Sequence, residues 1–237
     1  MAGPLEGIRV VDLTQVVSGP LATMLLADQG AEVVKVEPLG IGGDVTRLPS
    51  YAKAGISALF VNNNRGKRSL ALDLTKEEGK QIVIDLVEQA DVFIQNFRPG
   101  AIERLGLSYE DLKAVNPKLI YCSISGFGPD GPYSDRPVLD PVIQGLTGMV
   151  SRQLNPQIPF PDLVRNLVAD KSTAFTSAQA ITAALFSRER TGEGQFLEIP
   201  MLDSCLYFFW VDGMMDLTML DEDVSPGITL TKVYNIT

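Results

Sequence analysis

The residues of this sequence whose types and spacing could do chemistry include a carboxylate and a basic cluster, and no histidine. The chain has 237 residues and no histidine, so Ser-His-Asp and Cys-His schemes lack a base. Its two cysteines, Cys122 and Cys205, lie in different segments without metal-ligand spacing and read as buried reduced thiols, not as a disulfide or a zinc site. One carboxylate has a distinctive setting. In "NLVADKSTAFTSAQAITAAL" (166–185) Asp170 closes an apolar run and opens a helix of small residues. As an N-cap its oxygens would accept from the N–H groups of residues 172 and 173. As a nucleophile, kept ionised by the helix dipole, it would attack an activated carbonyl to form an anhydride. The two roles are compatible.

A second group of residues is basic. Arg65, Lys67 and Arg68 in "NNRGKRS" supply charge for phosphates. In "QNFRPGAIERLG" (95–106) Asn96 can read a base edge, Phe97 offers a face to a purine, and Arg104 lies about two helical turns further on. Net charge is −9, which argues against a nucleic-acid partner and suits a small polyanion on a local basic spot. A solvated basic rim around a capped helix explains the same residues equally well.

The elements that must position these groups alternate. "GIRVVDL" (7–13), "AEVVKVE" (31–37), "RSLALDL" (68–74), "DVFIQNF" (91–97) and "LIYCSISGFG" (119–128) read as strands, separated by helical patterns at 20–30, 75–90 and in two short stretches before residue 118. Ser18 is expected to cap the first helix, with Pro20 in its first turn and Gly30 ending it; Thr75 is expected to cap the second, and Ser108 with Glu110 and Asp111 to start a short one. Residues 126–167 are rich in Gly, Pro and Asp and read as loops, interrupted by a helix over 138–150 that has Pro141 in its first turn. A long helix over 171–189 and a strand over 196–202 follow. This pattern predicts an α/β fold, a Rossmann-like parallel sheet with helices on both faces. A dinucleotide site is not expected: Glu37 ends the second strand, but the preceding turn "TQVVSGP" offers only Gly19. No uninterrupted apolar stretch is long enough to span a membrane, and a secretory pattern is absent, so the expected home is the cytoplasm.

"LEGIRVVDLTQVVSGPLATMLLADQGAEVVKVEPLGIGGDVTR", "NRGKRSLALDL", "ADVFIQNFRPGAIERLGL", "LIYCSISGFGPDGPY" and "ADKSTAFTSAQAITAALFSRERTGEGQFLEIPMLD" together resemble the class III (CaiB/BaiF-type) CoA-transferases, the group containing formyl-CoA:oxalate and carnitine CoA-transferases. The resemblance covers about residues 5–212. It implies that Asp170 is the catalytic aspartate and that coenzyme A is a substrate, with no cofactor bound permanently and no metal. An acyl-CoA and a carboxylic acid acceptor would be the partners. CoA would then lie against Val17 and Ser18 at the thioester arm, and against Leu72, Asp73, Leu74, Thr75, Asn96, Phe97 and Arg98 at the adenosine end. Arg104 would approach a phosphate, and Arg136 the pantetheine or a phosphate. Val17 stands where some transferases have glutamine, and Pro38 replaces a basic residue that can stack on adenine.

The same fold includes acyl-CoA racemases, which need a histidine where this chain has Leu139, so transfer is the preferred reading. The family's chains are roughly 400 residues long and form interlocked homodimers. Residues 1–215 are therefore expected to be the CoA-binding catalytic domain, part of the family's large domain, and 216–237 a linker toward a small domain, the chain stopping in strand-like sequence as an incomplete polypeptide would. A truncated, non-catalytic CoA-binding module is the reading from another class.

Overall fold

The computed structural model describes residues 3–40, 42–48, 51–153, 158, 160–215 and 217–220. In chain order the first elements are β1 (Arg9–Asp12), α1 (Ser18–Asp28), β2 (Glu32–Pro38), the hairpin strands β3 (Ala52–Lys53) and β4 (Ile56–Ser57), α2 (Ala58–Asn64) and β5 (Arg68–Leu72). Next come α3 (Glu77–Val87), β6 (Val92–Gln95), α4 (Ala101–Arg104), α5 (Tyr109–Val115) and β7 (Ile120–Ser125). The remainder is α6 (Asp140–Leu146), α7 (Met149–Arg152), α8 (Val168–Thr191), β8 (Gln195–Pro200) and α9 (Met201–Gly213). The linker expected over 216–237 lies outside the described residues apart from 217–220.

The large sheet has the order β5-β2-β1-β6-β7-β8, and each of its pairings is parallel. Alternate residues of each strand point to opposite faces. Val10, Ile94 and Cys122 pack with Ala22 and Leu26 of α1 and with Ala178 and Ile181 of α8. Val11, Phe93 and Tyr121 pack on the other side with Val83 of α3 and Leu112 of α5. With helices on both faces, the central strands read as apolar runs. Small side chains bring α8 close to the sheet and to α1, and its buried hydroxyls turn back on their own helix: Thr173 donates to the Ala169 carbonyl at 2.7 Å and Ser177 to the Thr173 carbonyl at 2.8 Å.

Taken in chain order, the six sheet strands run 3-2-1-4-5-6, so the order reverses between β1 and β6. At such a switch point the loops leaving the two strands diverge and open a crevice at the carboxyl edge. The loop after β1, which ends at Val17 before Ser18 opens α1, and the loop after β6, which begins with Asn96, both reach that edge.

Three cap assignments are corrected. Val17, not Ser18, is the residue before α1; Lys76, not Thr75, precedes α3; and Leu167 precedes α8, which places Asp170 inside its first turn. Each of these helices starts without a side-chain cap bond. Thr75 donates its hydroxyl and its N–H to Asp73. The capping box at Ser108 and Asp111 forms as expected. The helix expected over 138–150 is two, because Gly148 takes a φ of +79° that only glycine adopts without strain. The hairpin and α2, between residues 52 and 64, were not anticipated.

Candidate active site

The crevice at the switch point is a cleft of ≈ 280 Å³, and Ser18, Asn96, Phe97, Arg98, Arg136 and Asp170 all line it. Asp170 is 8% exposed. Burial and the negative charge of Asp140 push its carboxyl up to about 6, while the backbone N–H and hydroxyl of Ser18 favour the charged form. The N-terminus of α1 thus faces the carboxylate that stands in the first turn of α8. At neutral pH the group is mostly ionised and poorly solvated, which suits a nucleophile.

Asp140, which sequence reasoning left without a role, does what was expected of Asp170. Its Oδ2 accepts the Asp170 N–H at 2.9 Å, satisfying a first-turn donor of α8 from outside the helix. Its Oδ1 accepts from Gln144 at 2.5 Å, and Gln144 also holds the chain entering α8 through the Val164 N–H at 2.9 Å and the Asn166 carbonyl at 3.2 Å. The signal was present as the acidic start of the apolar stretch "LDPVIQG".

Val16 rather than Val17 faces the cleft. Val16 adopts a φ of +72°, a left-handed conformation unusual for a β-branched residue, and the turn buries Val17 beneath it. Asn96 holds the loop before α1: its Oδ1 accepts the Gln15 N–H at 2.9 Å and its Nδ2 donates to the Gln15 carbonyl at 2.8 Å. Phe97 is half-buried and Arg98 exposed at the rim; Arg136 stacks over Tyr133 at 4.7 Å. Arg104 lies just outside the lining, its guanidinium beside Gly100. Leu72, the last residue of β5, and Asp73, Leu74 and Thr75 after it stand at the same edge but outside the cleft lining, next to Pro38, which pairs with Leu72.

The "NNRGKRS" residues are not a phosphate rim. A loop that precedes a parallel strand arrives at the amino edge, opposite the cleft. Arg65 pairs with Asp28 at the end of α1, and Arg68 starts β5 beside Glu32. The Lys67 side chain is buried, bonded to Asp12 at 3.0 Å, to the Pro20 carbonyl and to Asn64. Burial lowers Lys67 to about 8 against the opposing pull of Asp12. Burial would raise Asp12, but Lys67, Lys35 and the hydroxyls of Thr14 and Thr23 hold it below its ordinary value. Glu37 belongs to the scaffold, as expected. Burial works against its charge, yet Arg47, the Asp44 N–H and Ser69 hold it at about 2. The two cysteines are free and buried, and burial pushes the Cys122 thiol up to about 12. Among the described residues no group of three His, Cys, Asp or Glu side chains is placed to hold a metal, and no helix is long and apolar enough to cross a membrane.

A Rossmann-like sheet with a desolvated aspartate at its switch point and no histidine defines an α/β protein suited to carboxylate chemistry. The sequence matches the family model of CoA-transferase family III over residues 5–235, and the chain belongs to that family. It is 44% identical over 207 residues to a succinate–glutarate CoA-transferase of Agrobacterium fabrum, covering 84% of this chain and 51% of that protein. It is 39% identical over 206 residues to an acetyl-CoA:oxalate CoA-transferase of Acetobacter aceti, covering 87% and 53%. The crystal structure of a CaiB/BaiF family protein from Brucella suis superposes with a TM-score of 0.87 at 39% identity, covering 95% of this chain and 60% of that one. The chain therefore spans about half the length of the curated relatives it matches.

Proposed function

We propose that this chain acts in the transfer of CoA from an acyl-CoA to a carboxylic acid, with Asp170 as the nucleophile. The observation that carries the reading is a buried, mostly ionised carboxylate opening into a cleft at the sheet's switch point. A carboxylate oxygen adds to the thioester carbonyl and expels CoA thiolate, leaving an aspartyl-acyl anhydride. The thiolate then attacks the aspartyl carbonyl, releasing the first acid and forming an aspartyl-CoA thioester. The acceptor carboxylate attacks that thioester and expels CoA thiolate, leaving a second anhydride; the thiolate then attacks the acceptor's carbonyl, forming the new acyl-CoA and freeing the Asp170 carboxylate. Each step exchanges acyl groups between comparable leaving groups, so orientation and N–H donors for the oxyanions can carry the catalysis. The Ser18 N–H, at the start of α1 in the same cleft, is such a donor.

CoA in this reading enters along Phe97, Arg98 and Arg136, with Leu72, Asp73, Leu74, Thr75 and Arg104 further out toward the adenosine end. Two-base racemisation lacks its histidine: Leu139 occupies the position and is 70% exposed at the mouth of the cleft. The reading includes a homodimer, supported by the apolar outer face of α9. The test is to mix the chain with an acyl-CoA and hydroxylamine and map the adduct by mass spectrometry. A hydroxamate on Asp170, absent in Asp170→Asn, is the expected result. CoA retention without any adduct on the carboxylate would instead make the chain a binding module.

A further inference from the structure

The Thr14–Val16 segment between β1 and α1 is held by side chains from three other segments. Lys35 of β2 donates its Nζ to the Thr14 carbonyl at 2.7 Å and is buried against Asp44 at 3.0 Å. Asn96, just after β6, takes both backbone groups of Gln15 at 2.9 and 2.8 Å. Asp44 accepts the Val16 N–H at 3.3 Å and is itself fixed by the N–H and hydroxyl of Thr46. Val16, the residue these bonds converge on, has the φ of +72°. A left-handed β-branched residue persists only where its surroundings over-determine it. Two residues later Ser18 lines the same cleft as Asp170.

We infer that Asn96 is a positioning residue: its two-point grip on Gln15, backed by Asp44 and Lys35, keeps Val16 left-handed and so aims the start of α1 at the Asp170 carboxylate. The inference deepens the transferase reading and rests on it. The grip engages one donor and one acceptor of the Asn96 amide.

The experiment compares Asn96→Ala with the unmodified chain in the hydroxylamine assay and in calorimetric binding of CoA alone. The clamp predicts a drop of about tenfold to a hundredfold in the saturated trapping rate, with the Kd for CoA within about threefold. A weakened CoA affinity with an undiminished saturated rate would make Asn96 a ligand contact and overturn the inference. Adding Val16→Gly to Asn96→Ala is the decisive rescue. Glycine holds the left-handed conformation without a clamp, so most of the lost rate should return, and no recovery counts against the clamp. If Asn96→Ala does not fold, Asn96→Asp, which keeps the acceptor for the Gln15 N–H but loses the donor, should show a smaller fall of the same kind. A crystal structure of the variant gives a readout independent of turnover: Val16 should relax to negative φ, and a φ still near +72° overturns the proposal. Absence of any Asp170 adduct from the unmodified chain sinks the transferase reading alone, leaving the clamp to be judged on that angle.

Discussion

In the transferase reading, opposing influences of unequal strength set the charge of Asp170. Burial and the neighbouring Asp140 raise its proton affinity, while Ser18 lowers it, leaving the group near 6. A protonated carboxyl cannot attack a thioester, so adduct formation should fall as pH drops through about 6. Asp140→Asn removes the negative neighbour while keeping an oxygen for the Asp170 N–H. The midpoint of that pH profile should then move down, and an unchanged or higher midpoint would show that Asp140 does not act on the nucleophile's charge. The stability effect has the opposite sign to that of an ion-paired acid. A carboxyl raised in the folded state disfavours folding once it ionises, so Asp170 withdraws stability as pH climbs from 3.8 through about 6.

At the level of elements, the turn from β1 into α1 has no spare room. A side chain at Gly19 would begin 2.2 Å from the Thr14 Cβ, so Gly19→Ala must displace the start of α1. The expected loss is about 2–4 kcal/mol, measured by chemical denaturation; a change below about 0.5 kcal/mol would mean the turn yields freely. The loop after β2 is anchored differently, through Glu37, Arg47, Ser69 and the Asp44 N–H. Glu37 sits at about 2, below its ordinary 4.5. Its contribution is therefore complete above about 4.5 and disappears as pH falls through about 2. Glu37→Gln should cost about 1–3 kcal/mol at neutral pH and flatten the loss of stability across that acid window. An equally steep acid limb in the variant would assign it to other groups.

For the whole molecule, the outer face of α9 presents Tyr207, Phe208, Trp210 and Val211, each between 54% and 81% exposed. Contiguous apolar surface of this kind marks an association site. The homodimer reading predicts concentration-dependent self-association in sedimentation velocity, weakened by Phe208→Asp. A monomer across the micromolar range would remove the dimer from the account and leave the face for a different partner.

The sheet and its flanking helices were legible from residues 7–128 because period and punctuation are local properties: β-branched runs, helical spacing, Gly30 and the Ser108 start all act within a few positions. Asp170 was legible as a junction residue by type and place. What tertiary structure decided is which atoms are still free. Asn96, Lys67 and Glu37 carry polar groups that suit a ligand, but the fold engages each with a partner between 32 and 81 residues away. Local pattern cannot register such distant commitments. Asp140 gained its role in the same way, since only the packing of α6 against α8 brings its oxygen to the Asp170 N–H. The sequence determines where chains turn and which faces are buried; folding in three dimensions determines which polar groups neutralise one another and which carboxylate is left facing the cleft.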